Sequence, residues 1–96
     1  MTEYSLEGLA ACREEIDGLD VRLLELLNQR TGIVERIGRI KRQLHLPIYE
    51  PNREEEVFAN VLAHNHGPLS GDAVKRIFER IIDEMRAVQH HKILGQ

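Results

Sequence analysis

Arg13, Arg30 and Lys41 fall where the surrounding pattern calls for apolar side chains. From Leu6 the chain steps by three and four through residues 6, 9, 13, 16, 20, 23, 27, 30, 34, 37, 41 and 44, the spacing of one helix face. Eight of these positions are aliphatic; the other four are Arg13, Asp20, Arg30 and Lys41. An unpaired charge in a buried seam is costly, so something anionic is expected to meet the three cations. Asp20 can neutralise at most one of them. Two guanidiniums and an ammonium suit a small ligand with two carboxylates. Arginine grips a carboxylate in bidentate fashion, and lysine acts as a movable point charge.

Spacing narrows the geometry. Arg30 and Lys41 are three turns apart and point the same way, about 16 Å from each other along a helix axis. Two long side chains at that distance can reach inward to one small molecule. Arg13 lies about 25 Å before Arg30 and cannot reach the same spot. Its copy in a second chain can, if two such helices pair antiparallel about a two-fold near residue 24, within "RLLELLNQ". The expectation is a dimer with two equivalent sites, each drawing on both chains. Plainer explanations stand beside it. Seam cations near helix ends snorkel to water, and charges at such positions also set register between helices.

The element that carries these residues is one long helix from about Ser5 to about Leu44, a stretch without proline. Leu6, Leu9, Ile16, Leu23, Leu27, Val34, Ile37 and Leu44 form its stripe, broadened by Leu19, Leu26, Ile33 and Ile40. Gly8, Gly18, Gly32 and Gly38 weaken the pattern without breaking it. "LPIYEPN" ends the helix, because Pro47 and Pro51 suit neither a helix interior nor a helical residue before them. Asn52 is the expected cap of a second helix running to about His64, burying Val57, Phe58, Val61 and Leu62. After "NHGPLSG", Ser70 caps a third helix, with Leu69 and Val74 as its staple. The third stripe is Val74, Ile77, Phe78, Ile81, Ile82, Met85 and Val88. No strand pattern occurs. The fold class is therefore all-α, with three helices per chain, one of them very long. Forty helical residues rise about 60 Å, whereas a globule of this size has a radius of gyration near 13 Å. The first stripe would be wet in a monomer, and a second chain is expected to cover it.

Further polar groups lie at matching places. Glu54 is one turn before Val57 and Phe58 and borders the buried face; Arg53 precedes it. Gln89 is one turn beyond Met85. Each has an ordinary explanation, a first-turn acid favoured by the helix dipole and a solvent-facing end residue. His64, His66, His90 and His91 do not make a metal site: adjacent helical residues diverge, and no cysteine or carboxylate set completes one. Cys12 reads as a packing residue.

Ninety-six residues make a single domain, 1–96, short enough that oligomerisation is expected. The formal net charge of −3 argues against nucleic acid, which calls for a basic face. No apolar run is long enough to cross a membrane, and the N-terminus lacks the features of a signal peptide. One cysteine permits no internal disulfide, so a cytoplasmic setting is expected.

Three segments, "CREEIDGLDVRLLELLNQR", "IGRIKRQLHLPIYEPNREEEV" and "IFERIIDEMRAVQ", resemble the all-helical class of chorismate mutases over nearly the whole chain. The resemblance implies an intertwined homodimer, a helical bundle of three-helix chains. It implies rearrangement of chorismate to prephenate on the way to phenylalanine and tyrosine. By that resemblance Arg30 and the partner chain's Arg13 bind the substrate carboxylates. Lys41 contacts a carboxylate and the ether oxygen, and Gln89 holds the same oxygen. Glu54 accepts from the ring hydroxyl, helped by the backbone near Glu50, and Arg53 stands in the site wall. Met85 occupies a place where relatives often have a small or hydroxylic residue facing a carboxylate, and it offers no hydrogen bond. Glu50 replaces an aspartate of some relatives. The implied reaction is pericyclic and needs no metal or other cofactor. What a protein supplies is substrate geometry and charge matching. Two alternatives use the same residues: a lyase on this scaffold removing pyruvate from isochorismate, and a noncatalytic helical dimer whose seam charges pair with one another.

Overall fold

A computed structural model describes the backbone of residues 4–94 and the side chains of residues 4–90. These residues form three helices, α1 (Leu6–Leu44), α2 (Pro51–Ala63) and α3 (Gly71–Leu94), with no strand among them. The chain divides into two compact units, residues 1–32 and 33–96.

The first unit is the N-terminal part of α1. Ser5 starts it: its hydroxyl accepts from the Gly8 N–H at 3.0 Å and its carbonyl from the Leu9 N–H at 2.9 Å. The Gly8 amide is one that a helix start otherwise leaves without a partner. Leu6, Leu9, Ile16, Leu19, Leu23 and Leu26 are between 44% and 85% exposed in the single chain. The stripe read from the sequence is thus open along this unit.

The second unit holds the end of α1, a reversal, and α2 packed against α3. The reversal is a Schellman motif. The Leu46 N–H donates to the Lys41 carbonyl at 2.8 Å and the His45 N–H to the Arg42 carbonyl at 3.3 Å. His45 carries the motif's left-handed residue at φ 58°, a position glycine usually fills. Helix α2 then begins differently from the sequence expectation. Glu50 is its N-cap and Pro51 its first residue, so Asn52 lies inside the first turn and does not cap it. The reason is local. Proline at the first helical position sacrifices an amide with no partner there and brings a preset φ. Helix α2 ends at Ala63, with His64 as its C-cap. Helix α3 starts as expected, with the Ser70 hydroxyl accepting from the Ala73 N–H at 3.1 Å.

Val34 from α1, Phe58 from α2, and Val74, Ile82 and Met85 from α3 are buried together with two polar side chains, Lys41 and Gln89. Ile77 and Leu62, expected inside, lie on the outer edges of their stripes and are exposed.

His45→Gly should relieve the left-handed strain and stabilise the protein by about 0.5–1 kcal/mol, whereas His45→Val should destabilise it by more than about 1 kcal/mol. Urea unfolding at one fixed protein concentration measures both.

Candidate active site

Lys41 sits in the last turn of α1, where a cation complements the helix dipole. It is only 6% exposed. An ammonium has three donors, and here three acceptors meet it: the Ile48 carbonyl at 2.8 Å, a Glu50 carboxylate oxygen at 2.7 Å and Gln89 Oε1 at 3.2 Å. The first two are neighbours only because the Schellman turn folds the chain back over the residue whose carbonyl it caps.

Gln89 comes from α3 and is 8% exposed. It reaches Lys41 because α1 and α3 approach closely at Gly38, one turn earlier. A Cβ at Gly38 would lie 3.5 Å from Gln89 Cγ. An ammonium can only donate, so the amide must turn its oxygen toward Lys41. Its Nε2 amide hydrogens then face elsewhere. An ammonium with a neighbouring amide, both shielded from water, can hold an electronegative oxygen.

Glu50 has a role the sequence did not assign. The resemblance placed only its backbone in the site, but its carboxylate is the counter-ion of Lys41. Although Glu50 is the N-cap of α2, its side chain makes no cap hydrogen bond. The side chain is 48% exposed, so water can take it up if another anion replaces it at Lys41.

A second ion pair lies between α2 and α3. Arg86 Nη2 donates to Glu54 Oε2 at 2.5 Å, and Nη1 to Asp83 at 3.4 Å. The guanidinium lies 5.2 Å over the Tyr49 ring. The Glu54 hydrogen bond, against the opposing effect of burial, holds Arg86 more firmly protonated than a free arginine. Its Nε is buried and unpaired among the described residues. A groove of about 420 Å³ beside this pair is lined by Ile48, Tyr49, Asp83, Arg86, Ala87 and His90. It flanks the Lys41–Gln89 pair and does not contain it.

The remaining expected residues are placed as follows. Met85 is buried in the core. Arg53 is exposed and pairs with Glu56 on its own helix at 3.3 Å. Arg13 and Arg30 belong to the first unit, Arg13 exposed and Arg30 half-buried. Cys12 is exposed in the single chain. Among the described residues no three histidine, cysteine or acidic side chains converge as metal ligands. The His91 side chain lies outside the described residues.

Arg86 was absent from the sequence reading, yet a signal existed. It lies four residues after Ile82 and three before Gln89, the stepping that exposed the cations of α1. The Ile48 carbonyl carried no signal, since every residue has one.

Fold and site together define an all-helical protein with a buried, polar-ringed cation between helices. Comparison with known proteins sharpens that class. The family described as chorismate mutase type II matches residues 12–90. The chorismate mutase of Methanocaldococcus jannaschii is 31% identical over 86 residues, covering 88% of this chain and 86% of that protein. The bifunctional chorismate mutase/prephenate dehydratase of Aquifex aeolicus is 40% identical over 81 residues, 80% of this chain but 22% of that protein. This chain therefore spans about a quarter or less of the length of such bifunctional relatives. Among solved structures, chorismate mutase from Helicobacter pylori in complex with prephenate superposes with a TM-score of 0.84 at 30% identity, covering 91% of this chain and 94% of that one. The chain belongs to the chorismate mutase type II family.

The Lys41–Glu50 pair should reveal itself in a double-mutant cycle. Glu50→Ala leaves a buried ammonium with two neutral acceptors and should destabilise by about 1–2 kcal/mol, discounted because Glu50 is half exposed. Combined with Lys41→Met, the loss should fall short of the summed single losses by at least about 0.5 kcal/mol. Denaturant titration of the four proteins measures the coupling.

Proposed function

We propose that the chain catalyses the rearrangement of chorismate to prephenate, as a homodimer whose two sites each draw on both chains. One observation carries this reading: a buried Lys41 ammonium paired with the buried Gln89 side chain through Oε1. The match to the Helicobacter pylori enzyme, solved with prephenate, supports it.

The rearrangement is concerted. A carbon–oxygen bond breaks as a carbon–carbon bond forms, with no nucleophile and no net proton transfer. Negative charge gathers on the ether oxygen as its bond lengthens. Lys41 Nζ and Gln89 Nε2 would meet that charge from fixed positions in a shielded site. They would therefore bind the transition state more strongly than the ground state. Glu50 balances Lys41 while the site is empty and yields when the dianionic substrate enters.

Arg30 and Arg13 of the partner subunit bind the two carboxylates, fixing the enolpyruvyl chain over the ring. Glu54 accepts from the ring hydroxyl. Met85 offers an apolar wall in place of a hydrogen bond, and Arg53 enters the site on the family resemblance alone. Dimerisation has independent support from the exposed stripe of the first unit, a large apolar patch for water to face. We place the protein in the cytoplasm, working as one domain over residues 1–96 on the route to phenylalanine and tyrosine. No described helix is long and apolar enough to cross a membrane.

Purified protein should consume chorismate, followed by its ultraviolet absorbance, with no metal added. Lys41→Ala should lower kcat/KM by a factor on the order of 100–1,000 or more while circular dichroism stays unchanged. Wild-type turnover in that variant would remove Lys41 from the mechanism. Sharing between subunits has its own test. Arg13→Ala and Lys41→Ala proteins, each inactive, are unfolded together and refolded in equal amounts. Half of the resulting dimers carry one chain of each kind, and each of those has one intact site. About a quarter of wild-type activity should return. No recovery would mean that each site lies within one chain.

A further inference from the structure

Arg86 has no part in the reaction as described above, yet it makes the closest polar contact to a residue that does. It reaches from α3 to Glu54 on α2 through a single charged hydrogen bond of 2.5 Å. Two further contacts hold the guanidinium in place, Asp83 one turn back at 3.4 Å and the face of Tyr49 at 5.2 Å. The Arg86 side chain is 35% exposed and that of Glu54 22%, so water competes only partly for this bond.

The bond occupies Oε2 of Glu54. A carboxylate has a second oxygen, which still accepts. Its direction is fixed once Oε2 is tied, because the carboxylate is planar and Glu54 is anchored on the first turn of α2. Without Arg86, a glutamate in a first turn would rotate freely about its side-chain bonds. The other candidate partners in sequence do not serve. Arg53, beside Glu54, turns away to Glu56. Lys41 is committed to Ile48, Glu50 and Gln89.

We propose that Arg86 is a positioning residue for substrate recognition: it aims the free oxygen of Glu54 at the ring hydroxyl of the bound substrate. The assignment rests on the reading of Glu54 under Proposed function and adds a residue to it. The ring hydroxyl is remote from the breaking bond. An interaction there is equally strong in the ground state and the transition state, so its loss appears in KM and leaves kcat nearly untouched. Lys41 differs on this point, since its loss appears in kcat.

The test is a kinetic double-mutant cycle on the full chain with chorismate as substrate. Arg86→Met keeps the apolar stem and removes the donors. It should lower kcat/KM roughly 10- to 100-fold, carried by KM. In a Glu54→Gln background the same Arg86→Met change should alter kcat/KM less than about twofold, because the residue it acts through is already gone. Comparing the two backgrounds separates positioning from damage to the fold, which would lower activity by the same factor in both. An equal loss in both backgrounds, or a loss confined to kcat, overturns the proposal. Wild-type protein that leaves chorismate untouched overturns the functional reading and this proposal with it. An active wild type with additive mutations overturns this proposal alone.

Discussion

A lysine ammonium cannot be taken out of water without acceptors, and the second unit is arranged around meeting that demand at Lys41. Its three partners come from the reversal after α1, the N-cap of α2 and the body of α3. Each constrains an element. The reversal must be tight enough to return Ile48 within seven residues, which is why a Schellman motif follows even though His45, not glycine, has to adopt the left-handed conformation. The α2 N-cap must leave its carboxylate free for Lys41, and Pro51 at the first helical position lowers by one the number of amides that start the helix without a partner. Helix α3 must come close enough to α1 for an amide to reach, and Gly38 permits that approach.

The balance of effects explains the choice of partners. Desolvating an ammonium costs several kcal/mol, and two neutral oxygens recover only part of it. A carboxylate recovers the rest. Had that carboxylate been buried too, the pair would be a closed structural element. Glu50 is instead half exposed. The ammonium is thus stabilised by one exchangeable anion and two permanent neutral acceptors. That combination allows a fold to keep a cation ready for a ligand without leaving it bare. The pair of Arg86 and Glu54 reverses the sign, an anion on α2 steadied by a cation from the neighbouring helix.

Much of this was legible in the residues. The three-four stepping placed Lys41 in a seam, and it is buried; the same stepping brought Gln89 to the inner edge of α3, and it is buried beside Lys41. Helix number, order and approximate limits followed from proline, caps and period. What was not legible depended on the backbone path between helices. Glu50 rather than Asn52 caps α2 because Pro51 suits the first helical position, but that Glu50 then meets Lys41 turns on where the chain leaves the Schellman turn. Arg86 escaped for another reason. It lies on the border of its stripe, where a long basic side chain usually reaches water, and its facing acid on α2, with Asp83 and Tyr49, holds it in place.

The open stripe of α1 joins folding to function in the proposed dimer. Leucine and isoleucine side chains from Leu6 to Leu26 face water in the single chain, a state disfavoured in proportion to the apolar area exposed. Covering them with a second copy would remove that cost and, by the same docking, would deliver Arg13 of the partner subunit to the neighbouring site. A monomer would then lack both its apolar cover and one carboxylate clamp. The site could not assemble before the fold did, and Arg13, exposed in the single chain, would be desolvated only in the state that can offer it a substrate. Such coupling makes a long, glycine-interrupted helix tolerable. Its stability need not come from its own propensity if packing against a second chain supplies it.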